Sequence, residues 1–145
     1  DFSKKHTSVI ATNLTFVNDS DKLSQDIQKG LIKEAVYVGE NASLDFRRGV
    51  ISGFNPAVLL DDKIEITAKN LNNIKFQDMY FNLCNGNIFT KNNPNNEDLE
   101  NWYGNSVFFN VYSQSDNLET FVDFSNEKRP DFRLRLGKIT ASNNN

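Results

Sequence analysis

Acid–base chemistry on a polymer needs two carboxylates converging on a cleft. Asp61-Asp62 is an adjacent acidic pair that follows the apolar run 57–60. A 30-residue register sets Lys91 and Asn92 beside that pair, with Phe124 and Ser125 one step further on. No second acid joins it there, so a solvated turn is the plainer expectation. His6 is the one histidine, which excludes a His-based triad or a multi-His metal centre. Seven glycines are scattered singly and form no phosphate-cradling loop. Cys84 has apolar and Asn-rich neighbours and reads as a small buried hydrophobe, not a nucleophile. No catalytic residue, metal or cofactor is expected from these residues.

Binding chemistry is better represented. Arg47, Gln77 and Asn110 each directly follow a phenylalanine at the end of an apolar–any–Phe triplet. Together they form an expected outward polar column that would line a sugar groove, with Arg47 able to hold a carboxylate through two hydrogen bonds. Trp102 and Tyr103 lie in the stretch 91–104, beside Glu97, Asp98 and Glu100. Flat aromatic faces with polar edges suit the C–H faces of sugar rings. The alternative is that these two rings fold back over the edge of the core. The expected ligand-binding residues are therefore Arg47, Gln77, Asn110, Trp102 and Tyr103, and the expected partner is a glycan or another protein.

The elements that must position them announce themselves as a repeat. Leu14-Thr15-Phe16, Leu44-Asp45-Phe46, Ile74-Lys75-Phe76 and Val107-Phe108-Phe109 share one pattern, with Phe-to-Phe steps of 30, 30 and 33 residues. Val58, Ile88 and Phe121 each lie 12 residues after their phenylalanine, and Asn55 and Asn85 each lie nine after theirs. A fixed period of this size implies a repeated supersecondary unit whose neighbours bury one another's apolar faces. Equivalent asparagines at one turn of successive units would bond amide to amide. Strands are expected over residues 13–17, 43–51, 57–60, 63–67, 73–81, 87–90, 106–112 and 120–124. Residues 21–34 are the one helix candidate, with Leu23, Ile27 and Leu31 spaced by four.

Composition sets the limits. The 145 residues suit one domain, 1–140, with a flexible tail 141–145. A net charge of −3 argues against nucleic acid, which needs concentrated Lys and Arg. No stretch approaches the roughly 18 apolar residues of a membrane span, and no signal peptide is visible. A single cysteine excludes an internal disulfide. Twenty-two asparagines exceed ordinary usage. Asparagine tolerates left-handed turns. With so many, the three acceptor patterns at Asn13, Asn18 and Asn41 carry little weight for glycosylation.

Stretches 43–62, 72–92 and 105–126 resemble coils of the right-handed parallel β-helix proteins called pectin-lyase-like. The run Arg129-Pro130-Asp131-Phe132-Arg133-Leu134-Arg135-Leu136-Gly137 looks like the closing coil of bacterial surface β-helices. The resemblance implies an all-β, right-handed parallel β-helix segment of about four to five coils, the C-terminal part of a longer solenoid. An antiparallel β-sandwich is the alternative. That fold hosts enzymes and inert surface proteins alike. Its lyases use an Arg beside Asp-bound calcium, whereas Arg47 has Gln77 and Asn110 as expected neighbours. The expectation is therefore a non-catalytic cell-surface or secreted module. The alternatives are part of a polysaccharide lyase or hydrolase whose catalytic coils lie outside this chain, or a structural assembly subunit. Exposed end coils would dock to another chain.

Overall fold

The computed structural model describes residues 7–18, 29, 33–84, 88–91, 96–115, 121–123 and 131–134. The strands are β1 (Thr7–Thr12), β2 (Thr15–Val17), β3 (Val36–Val38), β4 (Ala42–Ser52), β5 (Val58–Leu60), β6 (Ile74–Asn82), β7 (Phe89–Lys91), β8 (Val111–Ser113), β9 (Phe121–Asp123) and β10 (Asp131–Leu134). Helix α1 (Ala68–Leu71) precedes β6, and α2 (Asn96–Tyr103) lies between β7 and β8. One parallel sheet runs β1-β4-β6-β8, with β2 also paired to β4, and a second parallel sheet runs β3-β5-β7. Strands β9 and β10 form an antiparallel pair.

Alternation within β4 and β6 decides which face is which. Leu44, Phe46, Ile74 and Phe76 are buried, while the interleaved Asp45, Arg47, Lys75 and Gln77 are not. The register sets Phe46 opposite Phe76, with ring centroids 5.7 Å apart and planes at 87°. Phe76 also meets Phe81, Phe89 and Tyr103 at 6.3, 5.5 and 5.3 Å. Three of these four contacts are edge-on, which suits the ring quadrupole, and that with Phe89 is tilted. They join Val38, Ile51, Val58, Leu60 and Met79 in one core.

Both described helices contribute to that core. Thr67 caps α1 by accepting the Asn70 N–H at 3.2 Å, and the helix buries Leu71. Helix α2 carries Glu97 and Asp98 in its first turn, where carboxylates favour the helix dipole. It buries Leu99 and Tyr103, spaced by four. Leu71, Leu99 and Tyr103 thus fill space between parallel strands from helices.

This corrects the expected fold class. The chain combines parallel strands with core-forming helices, an α/β arrangement, and is not the all-β right-handed parallel β-helix segment. The antiparallel sandwich is overturned as well, because both larger sheets are parallel. Particular steps differ too. Phe16 lies opposite Ile51, and Ala11 takes the place opposite Phe46. Residues Ser106–Phe108 form a 3-10 turn, so the expected strand there starts only at Val111. Val58 pairs with Phe89 and not with Ile88, which moves Lys91 opposite Leu60. Residues 63–67 carry no strand and lead into α1. Asn85 and most of the helix candidate 21–34 lie outside the described residues, as does the tail 141–145.

Candidate functional site

The exposed face of the first sheet holds two of the expected residues side by side. The parallel register aligns Thr12 with Arg47 and Arg47 with Gln77, and it aligns Ile10 with Asp45 and Asp45 with Lys75. Adjacent strands lie about 4.8 Å apart, so each such row is one continuous strip. Within the face, Arg47 grips Asp45 by two hydrogen bonds, Nε to Oδ1 at 2.8 Å and Nη2 to Oδ2 at 3.0 Å. The Arg47 bonds hold the Asp45 carboxyl below its ordinary 3.8, with Lys75 adding to the effect. A lowered folded-state value means that the pair stabilises the fold above the ordinary carboxylate pKa. This contribution is lost as pH falls through the lowered value, and it is small because Arg47 stays half exposed.

The strip ends at a bend. Arg48 and Asp78 adopt left-handed backbone conformations, φ 58° and 55°, in neighbouring strands, and Asn13 and Phe109 do the same at 58° and 56°. Such angles interrupt strand alternation. Arg48 Nε reaches Asp78 Oδ2 at 3.6 Å across the bend. Directly after it, a Cβ on Gly49 would meet Met79 Cε at 2.8 Å and the Leu14 carbonyl oxygen at 3.0 Å. Glycine leaves room here for the Met79 side chain and for the Leu14 carbonyl.

Asn110 is occupied by this bend. Its Nδ2 donates to the carbonyls of Phe76 at 2.7 Å and Tyr103 at 2.9 Å, and its Oδ1 accepts the Met79 N–H at 3.0 Å. Both amide donors are therefore spent on backbone. Tyr103 is 1% exposed and donates its hydroxyl to the Ile74 carbonyl at 2.6 Å, and burial raises its phenol pKa. Trp102 packs partly buried against the same core, 6.1 Å from Phe108. The structure thus brings Arg47 and Gln77 together and sets Asn110, Trp102 and Tyr103 to structural work elsewhere. The stretch expected to be an aromatic loop is helix α2, and its i, i+4 pair Leu99 and Tyr103 was the signal for it.

Sequence alone missed the groove that adjoins this face. It measures about 280 Å³ and is lined by Glu40, Asn41, Ser43, Lys63, Asn70 and Asn73 over a floor that includes Ile64 and Ile74. The turn before β4, the turn after β5 and helix α1 each contribute to it. A neighbouring depression of about 200 Å³ shares Ser43 and Asn73 with it and reaches Ile10, Asp45 and Lys75. Groove and sheet face therefore adjoin in one surface, polar apart from Val9 and Ile10. The Asn41 amide and the Ser43 hydroxyl make no hydrogen bond to another described residue.

Three further reactive groups, Tyr37, Asp61 and Cys84, are engaged or buried. Asp61 accepts the Tyr37 hydroxyl and, at 2.9 Å, the Lys63 N–H. The Tyr37 bond to Asp61 raises the phenol pKa. Burial pushes the Cys84 thiol up to about 12. The native chain is accordingly expected to resist iodoacetamide at about pH 8 and to react once unfolded in urea. Rapid labelling of the native chain would contradict this burial. Among the described residues no cluster of three His, Cys, Asp or Glu side chains could hold a metal, and no helix is long and apolar enough to cross a membrane. No family model, no curated protein and no solved structure matches the chain.

Proposed function

We propose that the chain is a non-catalytic binding module that engages a glycan at the cell surface or outside the cell. The carrying observation is the continuous, largely polar surface from Arg47 and Gln77 through Asp45 and Lys75 to the asparagine-lined groove. Amides, hydroxyls and a reversible ion pair supply the paired donors and acceptors that sugar hydroxyls need. The engagement of Asp45 by Arg47 and of Asp61 by Tyr37 supports binding over catalysis. A glycan array tests this. The wild-type chain should retain a defined set of polysaccharides, and Arg47→Ala and Gln77→Ala should each weaken retention about tenfold or more, in line with lost charge-assisted hydrogen bonds. Retention unchanged in both variants would sink the proposal.

A second reading, an assembly subunit, has its own support. Among the described residues, strand β1 pairs on one side only, with β4, and it exposes Val9 at 41% and Ile10 at 79%. An open edge with exposed apolar side chains is a template for another strand. Concentration-dependent oligomers in light scattering that vanish in Ile10→Lys would support this reading, and a strict monomer at all concentrations would remove it.

A further inference from the structure

We infer that the groove between the turn before β4 and helix α1 is a subsite for one uncharged pyranose ring. The inference rests on the glycan reading above and adds the class of sugar. Three observations carry it.

The first is the charge balance at the rim. Lys63 Nζ stands 3.8 Å from Glu40 Oε2, with the two side chains 74% and 41% exposed. That separation exceeds hydrogen-bonding distance. A ligand hydroxyl between them accepts from the ammonium and donates to the carboxylate, which a hydroxyl does and a carboxylate does not. An anionic sugar would gain Lys63 and be repelled by Glu40, so the pair favours neither sign of charge.

The second is the set of side chains with capacity to spare. The Asn41 amide and the Ser43 hydroxyl make no side-chain hydrogen bond among the described residues. Asn70 spends its Nδ2 on the Glu65 carbonyl at 2.8 Å, and Asn73 reaches the Lys69 carbonyl at only 3.4 Å. Amides and hydroxyls that both donate and accept match vicinal diols, where each hydroxyl does both. Asn41 is fixed in place by its turn, in the left-handed conformation at φ 66°, which is closed by the Ala42 N–H bonding the Gly39 carbonyl at 3.2 Å.

The third is size and floor. A volume near 280 Å³ lies at the low end of ligand sites, fit for a single ring and not for an extended drug-sized molecule. Ile64 and Ile74 line the groove beneath the polar rim and, being buried in the core, offer only a narrow apolar strip to the C–H face of a pyranose. Among the described residues no aromatic ring lines this groove, so affinity for a monosaccharide is set by hydrogen bonds and falls in the millimolar range.

The test is saturation-transfer NMR and calorimetry with methyl glucoside, methyl galactoside, N-acetylglucosamine, xylose and galacturonate as probes. At least one neutral sugar is expected to bind, and more tightly than galacturonate. Lys63→Ala and Glu40→Ala should each weaken that binding at least tenfold. Both side chains are exposed and 3.8 Å apart, so neither change threatens the fold. Preference for galacturonate overturns the inference, as does neutral binding indifferent to Lys63 and Glu40. If array binding depends on Arg47 while no neutral monosaccharide binds, the groove inference falls and the glycan reading stands. If the array shows no binding at all, both fall together.

Discussion

Replacing Phe76 by alanine is expected to lower the free energy of unfolding by about 3–5 kcal/mol, the range for deleting a fully buried aromatic ring. The ring is 0% exposed and contacts four others, those of Phe46, Phe81, Phe89 and Tyr103. Those rings come from three strands and from α2. Collapse around the deletion would require several elements to move at once, which keeps the cavity open. Urea denaturation followed by fluorescence or circular dichroism measures the loss. A loss below about 1 kcal/mol, the size of an ordinary surface substitution, would mean that Phe76 does not sit at the junction of sheet and helix.

Asn110→Ala carries the second large effect, about 2–4 kcal/mol, because it strands three backbone groups at once. The carbonyls of Phe76 and Tyr103 and the N–H of Met79 all lose their partner. The left-handed turn at Asp78 breaks the alternation of β6 there, so these groups sit where the strand no longer runs straight. Asn110→Asp should also destabilise, since a carboxylate supplies acceptors where two donors are needed. Arg47→Ala, by contrast, should cost less than about 1 kcal/mol, because its pair with Asp45 is exposed. Comparing the two denaturation curves separates a structural asparagine from a binding arginine. Equal and small losses would contradict the assignment of Asn110 to the bend.

Much of the sheet geometry was legible in the residues. The 30-residue step from Phe46 to Phe76 is the register of β4 on β6, and it set Arg47 beside Gln77. Buried aromatics at fixed spacing leave that kind of trace. The helices were not legible in the same way. Residues 96–103 are rich in Asn, Asp and Glu, types that favour turns and caps, and this composition hid the pair Leu99 and Tyr103. The bend also broke the counting. A residue in the left-handed conformation flips the inside–outside pattern, so an outward position extrapolated from Phe109 landed on an asparagine consumed by backbone. The same arithmetic failed at Ile88, where Phe89 holds the place opposite Val58. The groove was invisible for a different reason. Glu40, Ser43, Lys63 and Asn70 share no spacing, and only the parallel pairing of β3 with β5 and of β4 with β6 brings their turns to one place. A ladder of buried polar groups does exist, but at Ser52 and Asn82, joined at 3.2 Å, and not at Asn55, whose Oδ1 is buried without a hydrogen bond.

Chemical-shift mapping on the ¹⁵N-labelled chain, titrated with the oligosaccharide best retained on the array, tests the binding surface most directly. Shifts are expected to cluster at Asp45, Arg47, Lys75 and Gln77 and to extend to Asn41 and Asn73. Shifts confined to α2 around Trp102, or none on the first sheet at saturation, would contradict it.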